Sequence, residues 1–289
     1  MFAFLSGLGG AERERLALVG HRIDALAPNW HAIDLDSGAF AGPGRDPGIL
    51  RLARARRVTV WPVVNARGGG RFLREPGARG RLARELVALP RAQGYDGLTL
   101  DLEGLEPADA QGYVALVAEV RRGLRRRGAR LAVYVPRRSP SQGDDVYRRG
   151  RLARHVDLLL ASGYNEHPAG GPPGPLSTAA GFDRAVHEAV GHAGRRAAPV
   201  VGAFGYRWPS GGGRGTLVSS TEGEAVRRRS GGRVEGRATP AGDTIFYEDE
   251  GTIRARVAAA RAGGARWVGL FSLGREPADV WRGLPTHRR

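Results

Sequence analysis

The sequence predicts one (β/α)8 barrel, a TIM barrel, over residues 1–289, with a short insertion at 210–246 between strand seven and the last helix. Short apolar strand-type segments alternate with helix-type segments, which is the order typical of α/β folds. Hydrophobic residues make up 41% of the 289 residues, which is enough for a substantial core. One central strand ends in two carboxylates, and barrel enzymes carry their active sites at the C-terminal ends of the strands.

The first half of the chain contains four predicted strands. Phe2–Leu5 is apolar throughout, and Arg57–Val64 holds four valines and a tryptophan, residue types enriched in strands. Ala78–Leu89 spaces three leucines by four and three residues, which places them on one helix face. Trp30 and His31 are expected in a loop after the second strand, as core or rim residues. In order, the predicted elements are strand Phe2–Leu5, helix Ala11–Val19, strand Ile23–Leu26, helix Pro47–Ala55, strand Arg57–Val64, helix Ala78–Leu89 and the acidic strand within Gly94–Leu105.

The second half continues the alternation. The predicted elements are helix Pro107–Leu124, strand Leu131–Val135, helix Asp144–Ala153, strand Val156–Leu160, helix Thr178–His192, strand Pro199–Phe204, helix Gly251–Ala262, strand Trp267–Phe271 and a closing helical turn Glu276–Trp281. Ser210–Phe246 breaks this rhythm, because it is rich in Gly and Arg and holds only a weak helix over Glu222–Arg229. It is long for a plain loop, which favours a small inserted subdomain.

The acidic strand has two different faces. Leucine alternates with Thr99, Asp101 and Glu103 along Leu98–Glu103, the period of two that is typical of a strand. Side chains two residues apart on a strand lie ~6–7 Å apart, so the two carboxylates can approach each other. A polar row in so apolar a strand is costly unless it is used or fully hydrogen-bonded. A functional site and a structural hydrogen-bond network are both open, and the functional site is favoured.

The same strand resembles a known catalytic motif. Asp96-Gly97, followed by Asp101 and Glu103, resembles the DGxDxDxE signature of glycoside hydrolase family 18, the chitinase-like family. The resemblance is greatest to the bacterial branch that includes spore-germination and cortex-lytic glucosaminidases. Thr99 stands where the family has its first in-strand Asp or Asn.

Further segments extend the resemblance over nearly the whole chain. They follow the second strand, the sixth strand, the seventh strand and the region around the last helix, and their order and spacing together are specific. These segments are Asp24–Trp30, Leu160–His167, Pro172–Pro175, Val201–Trp208, Tyr247–Asp249, Gly269–Gly274 and Trp281.

The resemblance implies substrate-assisted retaining hydrolysis of a β-linked N-acetylglucosamine glycan. In that scheme Glu103 is the general acid, and the 2-acetamido oxygen of the substrate is the nucleophile. Asp101 holds the acetamido group and stabilises the charged intermediate. Tyr164 matches the family tyrosine that hydrogen-bonds this group, and Asn165 stands where many members have Asp. The resemblance implies no cofactor.

Other candidate substrate-binding residues each have a structural alternative. Trp208 could stack on a sugar face or simply cap the barrel. Phe271 occupies the place of the family tryptophan in the sugar subsite, and its smaller ring offers less stacking area. Asn65, at the end of strand three, could bind sugar hydroxyls, and Thr99 belongs to the polar row. Together with Asn165, these are the predicted substrate-binding residues.

No metal site is predicted. Glu166 and His167 are adjacent potential ligands, but no third residue lies at metal-ligand spacing. The chain has no cysteine, so it offers neither thiol ligands nor disulfides.

The charge is strongly positive, with a formal net value of +16. All 45 basic residues are Arg, and together with the abundant Ala and Gly this indicates the bias of a GC-rich genome. The arginines are scattered, and the runs Arg125–Arg127 and Arg227–Arg229 resemble solvated helix ends. Specific nucleic-acid binding is therefore not predicted, whereas attraction to an acidic polymer or the cell envelope remains open.

The expected partner is an N-acetylglucosamine-containing polysaccharide, and peptidoglycan, chitin oligomers and exopolysaccharide all remain open. No apolar run reaches the ~18 residues of a membrane span, and the N-terminus lacks a signal-peptide pattern. By resemblance the protein is expected in the cell envelope or outside the cell, as a domain that could be part of a larger protein. Two alternatives remain, a non-catalytic chitinase-like glycan-binding domain and an Arg-rich anion binder on a barrel scaffold.

Overall fold

The structure is a computed structural model that describes residues 1–7, 9–34, 37–41, 44–67, 70–138, 145–229, 237–238 and 242–284. Within these residues, eight parallel strands close into a barrel, because the first strand pairs with both the second and the last. From β1 to β8 the barrel strands are Phe2–Leu5, Ala25–Ile33, Val63–Arg67, Gly97–Glu103, Arg130–Val135, Leu158–Ser162, Ala197–Gly202 and Gly269–Phe271. The predicted (β/α)8 barrel is confirmed.

Helices connect the barrel strands and cover the outside of the barrel. In the described part of the chain, α1 to α9 are Gly10–Val19, Pro47–Ala55, Arg71–Arg74, Pro76–Gln93, Ala110–Arg125, Arg149–Leu152, Ala179–Ala193, Ser220–Arg229 and Glu250–Ala262. Local caps explain where several begin. The Asp46 carboxylate accepts hydrogen bonds from the N–H groups of Gly48 and Ile49, and the Thr178 hydroxyl accepts one from Gly181. No helix among the described residues is long and apolar enough to span a membrane.

The two faces of β4 meet different surroundings. Its three leucines are buried in the core between the barrel and the helices. On the other face, the Thr99 hydroxyl donates to the carbonyl oxygen of Trp61 at 2.9 Å, and Trp61 belongs to the cluster inside the barrel. Asp101 and Glu103 continue this interior face toward the C-terminal end of the strand.

Strand β2 is longer than predicted. The sequence predicts the strand over Ile23–Leu26, whereas it spans Ala25–Ile33. Pro28 keeps its place in the ladder opposite Leu5 of β1, and the pairing with β3 shifts register only afterwards, between Asn29 and His31.

Trp30 and His31 therefore lie in a strand, and the predicted loop is wrong. Trp30 is fully buried in the core. The His31 Nε2 atom lies 3.1 Å from the Tyr95 hydroxyl, and burial lowers the pKa of His31 to about 4. Both are core residues.

Strand β3 is interrupted. The predicted strand Arg57–Val64 is split at Pro62 into a short piece, Thr59–Val60, and the barrel strand Val63–Arg67. The first piece pairs only with β2, whereas the second pairs with β2 and β4.

The segment before β6 is less helical than predicted. Residue 144 lies outside the described residues and 145–148 form a turn, so the predicted helix Asp144–Ala153 is reduced to Arg149–Leu152. A 3-10 turn, Ala153–His155, follows, and β6 begins at Leu158.

A separate antiparallel sheet lies between β7 and α9 in the chain. In the described residues its strands are Phe204–Trp208, Thr216–Ser219, Arg237–Ala238 and Thr244–Tyr247, accompanied by α8. The predicted seventh strand, Pro199–Phe204, actually ends at Gly202, and Phe204 already belongs to the antiparallel sheet. Of the predicted insertion, residues 230–236 and 239–241 lie outside the described part of the chain.

Candidate active site

A cavity of about 360 Å³ opens at the C-terminal end of the barrel strands. We call it the catalytic cavity, because the residues predicted to be catalytic line it. Most of the residues predicted to act on substrate line its wall. They are Asn65, Asp101, Glu103, Tyr164, Asn165 and Phe271.

Strand β4 supplies both carboxylates of the catalytic cavity, Asp101 and Glu103. Their charge acts on the neighbouring phenols. Burial and the nearby Asp101 carboxylate raise the pKa of Tyr134, while burial and the Glu103 carboxylate raise the pKa of Tyr147. These phenols therefore stay protonated over the whole physiological pH range and remain hydrogen-bond donors beside the acids.

Tyr164 follows β6 and is almost fully buried in the cavity wall. The Tyr134 hydroxyl, on β5, donates to the Tyr164 hydroxyl oxygen at 3.1 Å. Burial raises the pKa of Tyr164 as well. Because Tyr164 accepts from Tyr134, its own proton points to another acceptor, and a ligand in the cavity can provide one.

Asn165 has a left-handed backbone conformation, with φ of 64°. Asparagine tolerates this region better than most residues, since its short polar side chain bonds locally. The Tyr206 hydroxyl donates to Asn165 Oδ1 at 3.1 Å. This hydrogen bond fixes the orientation of the Asn165 amide in the cavity wall.

Asn65 lies on β3 directly opposite Asp101 in the strand register. Its amide nitrogen donates to Asn29 Oδ1 at 2.6 Å. The amides of Asn65 and Asn29 thus continue the polar surface of the cavity from the carboxylates toward β2.

Phe271 forms an apolar wall at the end of β8. Its ring centroid lies 5.5 Å from that of Phe4, 5.8 Å from Tyr164 and 5.8 Å from Phe204. These aromatic contacts hold the ring at the side of the cavity.

Two predicted substrate-binding residues do not line the cavity. Thr99 is fully buried one layer below, where its hydroxyl is bonded to the Trp61 carbonyl oxygen. Trp208 is buried in the antiparallel sheet, and its Nε1 donates to the Gly171 carbonyl oxygen at 3.0 Å. Of the two roles considered for Trp208, its position fits the structural cap.

The sequence reasoning did not select several lining residues, namely Asn29, Tyr134, Tyr206 and Arg214. A signal existed for Tyr134, because an aromatic residue with a polar tip occupies an inward position near the end of a barrel strand. Tyr206 lay inside a segment that carries the resemblance. Nothing in the local sequence marks Arg214, which a Gly-rich loop brings to the rim.

Glu166 and His167 take part in the local fold. The Glu166 carboxylate forms an ion pair with Arg137 at 2.6 Å and accepts a hydrogen bond from the Thr178 N–H at 2.8 Å. His167 Nδ1 lies 3.3 Å from the Pro172 carbonyl oxygen. Among the residues that the structure describes, no group of three or more His, Cys, Asp or Glu could hold a metal ion.

The chain matches no protein-family model. It is similar to the uncharacterized glycosylase YvbX of Bacillus subtilis, with 20% identity over 287 residues that span 88% of this chain and 83% of that protein. The spore cortex-lytic enzyme SleL of Bacillus megaterium superposes with a TM-score of 0.83 at 15% identity, over 97% of this chain and 72% of that one. A chitinase from Chromobacterium violaceum gives 0.82 at 21% identity, over 98% and 96% of the two chains. The resemblance to chitinase-like glycosidases predicted from the sequence is confirmed.

Proposed function

We propose that this protein is a glycosidase that cleaves a β-linked N-acetylglucosamine-containing glycan by substrate-assisted retaining hydrolysis. The observation that carries the proposal is the placement of Asp101 and Glu103 on the interior face of β4, in one cavity with Tyr164 and Asn165. The names of the similar proteins, a glycosylase, a cortex-lytic enzyme and a chitinase, support the reaction class.

In the proposed reaction, Glu103 gives its proton to the glycosidic oxygen as the bond to the anomeric carbon breaks. The acetamido oxygen of the same sugar forms the new bond to that carbon, and the positive charge spreads over the resulting ring. The Asp101 carboxylate stabilises that charge and accepts a hydrogen bond from the acetamido N–H. Glu103 then takes a proton from the incoming water, whose oxygen bonds to the anomeric carbon as the bond from that carbon to the acetamido oxygen breaks. This restores the acetamido group and the protonated Glu103.

The other cavity residues position the acetamido group. We assign the Tyr164 hydroxyl as donor to the acetamido oxygen, since the bond from Tyr134 leaves its proton directed elsewhere. Asn165, held by Tyr206, is assigned as a second polar contact, and the Phe271 ring as the apolar surface beneath the sugar. No step requires a cofactor.

The proposed substrates are peptidoglycan, chitin oligomers and acetylated exopolysaccharide, and the proposed place of action is the cell envelope or the exterior. Incubation with defined N-acetylglucosamine oligomers and with peptidoglycan, followed by mass spectrometry, identifies the substrate. De-N-acetylated oligomers should bind without being cleaved, because they lack the internal nucleophile. Equal cleavage of both oligomers would contradict the substrate-assisted mechanism.

Glu103→Gln keeps the shape of the side chain and removes the proton supply. We expect turnover to fall by about 10²–10⁴-fold, the usual worth of general acid catalysis, with glycan affinity close to wild type. Glu85→Gln, at an exposed position on α4, is the matched control and should leave turnover unchanged. If wild type binds the oligomers without shortening them and Glu103→Gln changes nothing, the protein is a glycan-binding domain.

A further inference from the structure

A second concavity lies at the end of the barrel opposite the catalytic cavity. This groove of about 640 Å³ is built where α5 and the helical turns before β6 and β7 end, at the N-terminal ends of the barrel strands. We call it the basic groove. Six arginines line it, and no acidic residue does. They are Arg121, Arg122, Arg125, Arg126, Arg154 and Arg196.

Little of this positive charge is neutralised. Arg121 forms an ion pair with Asp157 at 2.8 Å, and the same carboxylate is shared with Arg130 at 3.1 Å. The other five arginines of the basic groove are exposed, and none of them forms an ion pair within the described residues. Their mutual repulsion therefore favours an anion that enters the groove from solution.

Two ordinary causes of basic surface do not account for this arrangement. The arginine-rich composition spreads charge over the whole chain, but it does not gather arginines around one concavity. Cations at helix C-termini complement the helix dipole, and one arginine per helix end is enough for that. Here Arg122, Arg125 and Arg126 come from one helix end, while Arg154 and Arg196 come from the next two.

The lining also indicates the chemistry of the partner. Guanidinium forks bind phosphate oxygens in a bidentate manner. The arginines come from three helix ends around a groove of about 640 Å³, so a chain of phosphates can engage more of them than a single phosphate. No Phe, Tyr or Trp is among the lining residues of the basic groove, and His155 contributes the one aromatic ring there, so the groove offers less stacking surface than the aromatic platforms on which single-stranded nucleic acids are bound.

We propose that the basic groove binds a linear phosphate-bearing polymer without bases. This inference goes beyond the proposed glycosidase function and does not depend on it. Because the basic groove and the catalytic cavity lie at opposite ends of the barrel, the polymer can hold the protein while the cavity stays open to glycan.

The test uses fluorescently labelled inorganic polyphosphate and the full chain, with affinity read by anisotropy over a series of salt concentrations. Arg122→Gln/Arg125→Gln/Arg126→Gln should weaken binding by about tenfold or more at physiological salt. It should also flatten the dependence of log affinity on log salt, since fewer phosphates are neutralised. Arg154→Gln/Arg196→Gln, on the other wall of the groove, should also weaken binding and flatten its salt dependence. This second variant tests the proposal even if the triple variant does not fold.

The control removes the same charge from another exposed helix face. Arg81→Gln/Arg84→Gln on α4 removes two exposed arginines outside the groove, the same number as Arg154→Gln/Arg196→Gln, and we expect an affinity change of less than about twofold. Equal weakening by the groove and control variants would overturn the proposal, because binding would then reflect net charge alone. Duplex DNA or polyglutamate bound as tightly through the same arginines would overturn the proposed partner.

Discussion

The hydrogen bond from Tyr134 to Tyr164 sets the direction in which the Tyr164 hydroxyl can donate. We expect Tyr134→Phe to lower kcat by about two- to tenfold with little change in KM, because a lost hydrogen bond is worth about 0.5–1.5 kcal/mol. The remaining Tyr164 hydroxyl can then rotate away from the substrate. Steady-state kinetics on an N-acetylglucosamine oligomer measure the effect.

Tyr113→Phe is the matched control for that prediction. Tyr113 is also fully buried, and its hydroxyl has no hydrogen-bond partner within the described residues. Its removal leaves the bond between Tyr134 and Tyr164 intact and should lower kcat much less than Tyr134→Phe does. A similar loss in both variants would assign the effect of Tyr134 to packing rather than to the orientation of Tyr164.

The sequence predicted which way the polar side chains of β4 point, but not how far along the barrel axis each of them lies. The period of two placed Thr99, Asp101 and Glu103 on one face, and the structure has them there. The same period does not say how deep each side chain lies along the barrel axis, so Thr99 was assigned to substrate although it is buried below the cavity. Tyr134 was overlooked because its role depends on Tyr164, which follows the neighbouring strand β6.

The last strand of the antiparallel sheet is followed by a buried carboxylate. Glu248 Oε1 accepts hydrogen bonds from the backbone N–H and the hydroxyl of Ser177, at 3.1 and 3.0 Å. Burial raises the pKa of Glu248 to about 7, although Arg256 acts in the opposite direction. A group that titrates near neutral pH thus lies where the antiparallel sheet contacts the N-terminal end of α7.

This carboxylate should make stability depend on pH. Its folded-state pKa lies above the unfolded value of 4.5, so the folded protein holds the proton more tightly. The contribution of this protonated carboxyl to the free energy of unfolding is fully present below about pH 4.5 and is lost as pH rises through about 7. Glu248→Gln should not lose stability in this way. Relative to wild type, its free energy of unfolding should rise by about 3 kcal/mol between pH 5 and pH 8, at 1.36 kcal/mol per pKa unit.

Denaturant unfolding of both proteins at the two pH values measures the difference. Glu85→Gln, at an exposed site, should follow wild type at both. If Glu248→Gln and wild type keep a constant difference across this range, Glu248 is not protonated in the folded protein.

Helix α5 packs unusually close to α3. A Cβ atom added at Gly112 would collide with the carbonyl oxygen of Leu73, a backbone atom that cannot turn aside. We expect Gly112→Ala to lower the free energy of unfolding by about 1–3 kcal/mol. Gly80→Ala, in the open interior of α4, should raise it by about 0.5–1 kcal/mol instead. Thermal or denaturant unfolding that shows the same sign for both would contradict the close contact.

The elements were predictable where local pattern and barrel pairing agree. Helix Pro47–Ala55 has the predicted bounds, because Asp46 caps it and its apolar face is regular. Strand β2 continues past Pro28, whereas the predicted strand Arg57–Val64 breaks at Pro62, so a proline alone does not decide where a strand ends. Pairing with neighbours distant in the chain decides it, and the chain alone does not reveal those neighbours.

At the scale of the whole molecule, the catalytic cavity and the basic groove lie at opposite ends of the barrel. The catalytic cavity carries Asp101 and Glu103, whereas the basic groove carries six arginines. The sequence predicted the net charge and the scattering of arginines along the chain. It did not predict their convergence, because that follows from three helix ends meeting on one side of the barrel.

The closure of the barrel by β1 and β8 has a consequence for synthesis. β1 pairs with β2 on one side and with β8 on the other. Its first neighbour leaves the ribosome early, whereas Gly269–Phe271 comes last among the barrel strands. An unpaired strand edge readily binds edges of other chains, and nascent multi-strand domains are exposed to that risk. A nascent chain therefore carries an open β1 edge until Gly269–Phe271 has been synthesised.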